Sequence, residues 1–438
     1  MPGRNFLPYG HQWVDDDDIA AVAEVLRGEY LTTGPKVREF EEAFAAYVGA
    51  KYAVAVSSGT AALHAAAFAA GFGPGDEVIT TPITFVATAN CILYRGATPV
   101  FADIAPRTYN IDPEQVAKKI TPRTKALIPV HFAGQPCDLD AIHDIARQHG
   151  LTVIEDAAHA LGAEYKGRRI GGLSDLTIFS FHPVKHITTG EGGMVTTNSR
   201  ELYEKLLMFR NHGIIREPGK WTALTDNSGT GGMALSFHRP GPGDLAPDST
   251  GQAIPPVFRG TADRLETVPS WYYEVQFLGY NYRMSDIHAA LGLSQLKKAD
   301  KFLVRRREIA GIYNQAFASL PGLIIPYQAP WADSSWHIYV LQVDEKRAGI
   351  TRDELFARLR GQGIGANLHY IPVYRHPLYQ KLAIDPAGYP AAEAFYRRAI
   401  TLPLFPAMTP AEVERVIDAI RLAMLEGNKN SSVKVDDK

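Results

Sequence analysis

The sequence predicts an α/β protein with a mostly parallel sheet covered by helices on both faces, followed by a smaller C-terminal α/β domain. Residues 52–200 alternate short apolar runs with helical stretches, as in "YAVAVSS" (52–58) before the alanine-rich "TAALHAAAFAAG" (60–71). Strands that read as near-continuous apolar runs are typical of parallel sheets buried on both faces. From about residue 320 the pattern changes to that of a second, smaller unit.

Seven runs are predicted as the strands of the main sheet: 52–58, 76–82, 98–104, 125–132, 151–158, 176–181 and 192–198. In the C-terminal part, "SSWHIYVLQV" (334–343) and "ANLHYIPV" (366–373) are predicted strands, and "TRDELFARLRGQGIG" (351–365) is a predicted helix. A last helix is predicted over 409–427, because it has a capping threonine, a first-turn proline and helical apolar spacing. We therefore predict an N-terminal arm and large domain over 1–300, a small domain over 301–427 and a polar tail over 428–438.

Composition and charge exclude several classes of function. The chain has 438 residues and a formal net charge of −2, which gives no electrostatic case for binding nucleic acid or an anionic membrane. The "RRR" at 305–307 is predicted to be a solvated helix face. Cys91 and Cys137 have no metal-like spacing, and no apolar run reaches the length of a membrane span. We expect a protein of the reducing cytoplasm with no metal site.

One long segment shows no periodicity. Residues 219–270 are dense in Gly, Pro, Ser, Thr and Asp. Loops of this length inside compact domains are uncommon and are usually lids, binding loops or disordered segments. We hypothesise that this insertion lies over a subunit interface and shapes substrate access; a surface excursion without a role is the alternative.

Four features follow predicted strands, where ligands bind in open α/β sheets. "SSGTAAL" (57–63) is a strand-to-helix turn whose amides and hydroxyls can bind an anion, although a tight turn capped by Thr60 would look the same. Asp156 ends an apolar run and needs a partner if it is buried. Phe85 alone is typical of a core residue, and Lys185, after Ser180, is typical of a solvated loop.

Together these features match what pyridoxal phosphate requires. The lysine forms a Schiff base, the aspartate keeps the pyridine nitrogen protonated, an aromatic residue stacks on the ring and the helix end holds the phosphate. A Rossmann nucleotide site is the competing explanation for a glycine-containing turn, but GxGxxG is absent. The sequence therefore favours a pyridoxal-phosphate site.

Five motifs resemble, in order, those of the DegT/DnrJ/EryC1/StrS sugar aminotransferases. They are "SGTAAL", "TPITFVATAN", "VIEDAAHALGAEYKG", "FSFHPVKHITTGEGG" and "LGYNYRMSDIHAALGLSQLKK". The resemblance spans about residues 6–425 and is broken mainly by the insertion. It implies the type I, aspartate-aminotransferase-like fold. Within the family, "LPYGHQ", "PVHFAGQPCDLD" and "NLHYIPVY" are most similar to the transaminases of pseudaminic acid biosynthesis.

The resemblance implies a role for each matching residue. Lys185 is the implied Schiff-base lysine, and Asp156 is the implied partner of the pyridine nitrogen. The other implied cofactor contacts are Gly59, Thr60 and Ser180 at the phosphate, Phe85 stacked on the ring, His159 near the phenolic oxygen, and Asn281 of the partner subunit at the phosphate. The implied sugar-nucleotide contacts are Tyr9, Thr32 and His337. A site completed by a second chain implies a homodimer.

The implied reaction moves an amino group from L-glutamate to C4 of a UDP-linked 4-keto-6-deoxy-N-acetylhexosamine, with Lys185 moving the proton. Another nucleotide-4-keto-sugar aminotransferase, of the perosamine, bacillosamine or 4-amino-arabinose type, remains an alternative. A dehydratase of the same family would carry a histidine in place of Lys185, and a non-catalytic regulator would not need the complete cofactor set. Both are therefore disfavoured.

Overall fold

The computed structural model describes residues 6–216 and 271–433. In chain order its helices and strands are α1 (Asp16–Arg27), α2 (Pro35–Val48), β1 (Tyr52–Val56), α3 (Gly59–Ala69), β2 (Glu77–Thr80), α4 (Ala87–Tyr94), β3 (Thr98–Phe101), α5 (Pro113–Lys119), β4 (Thr124–Ile128), α6 (Leu139–His149), β5 (Thr152–Asp156), β6 (Glu164–Tyr165), β7 (Arg168–Arg169), β8 (Leu176–Ser180), β9 (Gly193–Thr197), α7 (Arg200–Phe209), β10 (Ile214–Ile215), β11 (Glu274–Val275), α8 (Asp286–Leu296), α9 (Ala299–Phe317), β12 (Leu323–Ile324), β13 (Ala332–Asp333), β14 (Tyr339–Val343), α10 (Glu345–Ala348), α11 (Arg352–Gly361), α12 (Pro377–Gln380), α13 (Pro390–Arg398), β15 (Ala399–Leu402) and α14 (Pro410–Val433).

A seven-stranded sheet forms the centre of the molecule, in the order β1-β9-β8-β5-β4-β2-β3. Five of its strands, β8, β5, β4, β2 and β3, pair in parallel, and β9 pairs antiparallel with both β1 and β8. The predicted mostly parallel sheet is confirmed, and each of the seven predicted runs overlaps one of its strands. Their valine, isoleucine and alanine side chains are buried because helices cover both faces.

Two apolar cores lie against this sheet. On one face, Ala66 of α3 and Cys91 of α4 pack with strand residues such as Val54 and Ile154. The other core contains Phe44 of α2 and Ile142 of α6. Alanine at most positions of α3 lets that helix lie close to β8 and β9. The start of α3 is thereby fixed beside the ends of these central strands.

The C-terminal part builds a three-stranded antiparallel sheet, β12-β14-β15, with its own core. Helix α9 joins the two parts, because Phe302 packs in the core of the large sheet and Ile309 in that of the small one. The predicted boundary at residue 300 falls inside this helix and stays a prediction. Residues 366–373, predicted as a strand, form none: a bridge joins Asn367 to Thr401, and a 3₁₀ turn begins at Val373.

Two predicted segments fall partly or wholly beyond the described residues. The 219–270 insertion lies outside them, and so do residues 434–438 of the predicted tail. Helix α14 continues to Val433, past the predicted helix end at 427, and no proline follows Pro410 to stop it. Within residues 6–216 and 271–433, no helix is both long and apolar enough to cross a membrane.

Candidate active site

The carboxyl ends of three strands of the large sheet meet at one cavity. Asp156 ends β5 and Ser180 ends β8, and these strands are parallel neighbours. Gly193 of β9 pairs with both Ser180 and Val56, which brings the end of β1 to the same place. The cavity has a volume of about 530 Å³. Its wall includes Tyr9, Ser58, Gly59, Thr60, Thr84, Phe85, Thr88, Asp156, His159, Ser180, His182, Lys185, Glu191, His369 and Tyr370.

The turn from β1 into α3 leaves backbone amides free. The Ser58 hydroxyl accepts a hydrogen bond from the amide of Ala61 at 3.1 Å, and the Ser58 carbonyl accepts one from Ala62. The amides of Gly59 and Thr60 have no partner among the described residues, as expected for the first turn of a helix. A Cβ at residue 59 would lie 2.9 Å from the Ser180 Cβ, so only glycine fits there. This helix end can bind an anion such as a phosphate.

Asp156 places a buried carboxylate on the cavity wall. Its side chain is 4 % exposed, and it accepts hydrogen bonds from the Thr88 hydroxyl at 2.7 Å and the Ala158 amide at 3.1 Å. Burial raises the pKa of Asp156, while these two hydrogen bonds and the charge of Lys185 oppose the rise. No basic side chain among the described residues forms an ion pair with it. A cationic ligand in the cavity would therefore stabilise its charged form.

Lys185 lines the same cavity, in the loop between β8 and β9. Burial lowers its pKa from 10.5 to about 8; the charge of Asp156 opposes this shift, and the charge of Arg306 adds to it. Its Nζ lies 3.5 Å from His337 Nε2. Close to neutral pH this lysine therefore has a much larger fraction of neutral, nucleophilic amine than a solvated lysine has.

Histidine side chains surround the lysine without adding positive charge. The ring of His337 lies 4.3 Å from that of His159 and 5.4 Å from that of His186. Burial, helped by nearby cations, holds the pKa of each of these three histidines well below its usual value. They are therefore neutral at physiological pH.

Arg306 is fully buried behind His337, so the predicted solvated face over 305–307 is wrong for this residue. Its guanidinium donates hydrogen bonds to the carbonyls of Trp336, His337 and Leu404, at 3.3, 2.9 and 3.0 Å. All three carbonyls accept from Nη1, and no carboxylate among the described residues pairs with the guanidinium, which the sequence pattern alone could not show. The clamp fixes the backbone of the residue that faces Lys185.

The remaining predicted site residues divide into two groups. Phe85, whose side chain is 58 % exposed, and Tyr9, whose ring packs 5.1 Å from that of His369, both line the cavity. Thr32 and Asn281 do not: each is exposed and makes an isolated backbone bridge, to Ser285 and to Asn211 respectively. His337 also lies behind the wall, buried against Lys185. The predicted sugar and partner-subunit contacts of these three residues stay predictions.

Two residues of the site carried no assignment from sequence. Thr88 donates to Asp156, and its position three residues after Phe85 in a helical stretch could have indicated that both face the cavity. Tyr370 lines the cavity, and its hydroxyl lies 3.0 Å from His159 Nε2. The strand predicted over 366–373 did not indicate that Tyr370 contacts His159.

A cavity with a buried carboxylate, a low-pKa lysine and a free helix end defines a class of enzyme that uses pyridoxal phosphate. Comparison with known proteins identifies the family. Residues 12–238 and 259–421 match the model of the DegT/DnrJ/EryC1/StrS aminotransferase family, and the chain belongs to it. It is a pyridoxal-phosphate-dependent sugar aminotransferase.

Relatives match over nearly the whole chain. The spore coat polysaccharide biosynthesis protein SpsC of Bacillus subtilis (strain 168) is 46% identical over 420 residues, which are 95% of this chain and 97% of SpsC. PseC of Helicobacter pylori, an aminotransferase involved in the biosynthesis of pseudoaminic acid, superposes with a TM-score of 0.81 at 32% identity, covering 96% of this chain and all of PseC. A Streptococcus pneumoniae protein solved in a PLP form superposes with a TM-score of 0.80 at 28% identity, covering 96% and 99%.

The lowered pKa of Lys185 predicts how the cofactor-free protein takes up pyridoxal phosphate. Only the neutral amine attacks the cofactor's aldehyde, so the uptake rate should rise about tenfold per pH unit below the pKa of about 8 and level off above it. Stopped-flow absorbance of the bound cofactor measures this rate, with K185R as a control that forms no covalent adduct. A rate that keeps rising to pH 10 would show an ordinary lysine.

Proposed function

We propose that this enzyme transfers the amino group of L-glutamate to C4 of a UDP-linked 4-keto-6-deoxy-N-acetylhexosamine, as in a pseudaminic-acid-type pathway. The observation that carries the proposal is that Lys185 and Asp156 share one cavity with the free amides of Gly59 and Thr60. This set serves amino transfer in general. The likeness across the full length of PseC, an aminotransferase involved in the biosynthesis of pseudoaminic acid, supports an acceptor of that pathway.

Each residue has a defined task in this reaction. Pyridoxal phosphate, when bound, supplies the electron sink for the charge that develops at the carbon losing its proton. Asp156 would keep the ring nitrogen protonated, and Gly59, Thr60 and Ser180 would hold the phosphate. The Lys185 Nζ would hold the cofactor at its aldehyde carbon and, when free, would carry the proton that is moved. Phe85 provides an apolar face that orients the ring.

Water must be kept from the charged intermediates of such a reaction. The buried rings of His337, His186 and His369 form the dry surroundings of Lys185, and low polarity strengthens the attraction of Asp156 for a bound cation. The same surroundings disfavour the ammonium form of the lysine. The site is thus suited to the repeated capture and release of a neutral amine.

Another nucleotide-4-keto-sugar aminotransferase is the second candidate. SpsC, at 46% identity, is nearer in sequence than PseC at 32%, and its name refers to a spore coat polysaccharide. Both candidates share the cofactor chemistry and the C4 ketone. They differ in the sugar and in its C2 substituent.

A panel of sugar nucleotides tests the proposed substrate. The enzyme is incubated with L-glutamate and UDP-, dTDP- or GDP-linked 4-keto-6-deoxy sugars, and 2-oxoglutarate and the aminated sugar are followed by mass spectrometry. We expect turnover with the UDP-linked N-acetylhexosamine. For the other sugars kcat/KM should be at least about tenfold lower, because each would lose at least one good polar contact with the enzyme. Preference for a dTDP- or GDP-sugar would favour the second candidate, and K185R should be inactive with all.

We also propose that the enzyme is a homodimer with shared active sites. Asn281 does not line the cavity of its own chain. The preceding segment exposes several apolar side chains, of which Trp271 is 68 % and Leu278 76 % exposed. Exposed apolar side chains that cluster in this way mark interaction surfaces. They support a partner subunit that covers this segment and receives Asn281 at its phosphate site.

Complementation between two inactive variants tests this arrangement. K185R and N281A are co-expressed with different tags, and mixed dimers are formed. If Asn281 serves the partner's site, each mixed dimer has one intact site, and a random mixture recovers about a quarter of wild-type activity. If Asn281 acts within its own chain, no intact site can form and the mixture stays inactive. Full activity of N281A alone would remove Asn281 from the site.

A further inference from the structure

Tyr370 and His159 form a hydrogen-bonded pair on the cavity wall. The Tyr370 hydroxyl lies 3.0 Å from His159 Nε2, and both residues line the cavity together with Asp156 and Lys185. Within the described part of the chain, this is the only hydrogen bond of the Tyr370 hydroxyl. A hydroxyl can donate one hydrogen bond and accept others, so the position of the proton decides what Tyr370 can do for a ligand.

The surroundings of His159 indicate where its proton lies. Burial, together with the charge of Lys185, holds the pKa of His159 well below its usual value, so the ring carries a single N–H. Its Nδ1 is buried and has no hydrogen-bond partner among the described residues. An unpaired buried N–H is rarer and costlier than an unpaired acceptor. The proton therefore lies on Nε2, which donates to the Tyr370 oxygen.

This arrangement leaves the proton of Tyr370 available to the cavity. Burial raises the pKa of Tyr370 well above its usual value, so the hydroxyl stays protonated. His159 already donates to its oxygen, so the O–H must find its acceptor elsewhere. A hydroxyl oriented by a fixed donor is a preorganised donor for an oxygen of a bound molecule.

We propose that the Tyr370 hydroxyl, oriented by His159, donates a hydrogen bond to the phenolic oxygen of bound pyridoxal phosphate and is a further catalytic residue. The proposal rests on the cofactor position of the proposed function, in which His159 lies near that oxygen. A donor at this oxygen stabilises its negative charge and weakens its hold on the proton that it shares with the lysine nitrogen. Tyr370 thereby lowers the pH at which the bound cofactor loses that proton.

Spectral titration of Y370F tests the proposal. The bound cofactor's visible absorbance is recorded against pH, and loss of one hydrogen bond to an anionic oxygen should raise the midpoint by about one to two pH units. Y374F is the matched control: the Tyr374 hydroxyl donates to Glu393 at 2.9 Å, and Tyr374 does not line the cavity. Its midpoint should equal that of the wild type, and thermal unfolding checks that both variants are folded.

The outcomes separate this inference from the substrate assignment, because the titration needs no sugar nucleotide. A Y370F midpoint equal to that of the wild type would overturn the role of Tyr370 and leave the proposed reaction untouched. An equal shift in Y374F would also overturn it, because the effect would then not arise at the cavity. A wild-type protein that shows no visible band with pyridoxal phosphate would overturn the inference together with the cofactor site.

Discussion

The desolvated carboxylate of Asp156 is the constraint on which the rest of the site depends. A buried carboxylate is costly, and here two hydrogen-bond donors, Thr88 and the Ala158 amide, offset only part of that cost. A parallel sheet brings the end of its strand beside the ends of β8 and β1. The cavity therefore combines a carboxylate for a cation, free helix amides for an anion and a reactive amine. Pyridoxal phosphate carries all three complementary groups.

Two charged neighbours act on the Lys185 amine in opposite directions. Asp156 stabilises the ammonium form, whereas burial and the charge of Arg306 favour the neutral amine. Arg306 donates to three carbonyls and forms no ion pair within residues 6–216 and 271–433, and it fixes the backbone of His337. A structural clamp in α9 thus contributes to the electrostatics of a lysine in the loop between β8 and β9. When the protonated ring of the cofactor pairs with Asp156, the negative charge that favours the ammonium form of Lys185 is neutralised.

The seven strands and the charged and phosphate-facing residues of the cavity wall could be predicted, because apolar runs mark buried strands and parallel strand ends converge on one edge. Asp156, Ser180 and Lys185 follow from that rule. Tyr370 could not be found in this way: it lies in an irregular segment predicted as a strand, and it meets His159 only through the folding of the C-terminal part. Arg306 was missed because charge alone does not reveal carbonyl partners. Thr32 and Asn281 lie off the wall of a single chain.

The measurement that tests the central claim most directly compares D156N with the wild type, with and without cofactor. The pKa of Asp156 is raised in the folded cofactor-free protein, so the stability of the wild type falls as pH rises through that pKa and the buried carboxyl ionises. D156N has no carboxyl group to ionise at this position and lacks this fall. The unfolding temperature of D156N, relative to that of the wild type, should therefore increase as pH rises toward neutral. Its dissociation constant for pyridoxal phosphate should be at least about tenfold higher than that of the wild type. Equal affinity in both proteins, with no pH-dependent gain, would contradict a carboxylate that is buried to receive a cationic cofactor.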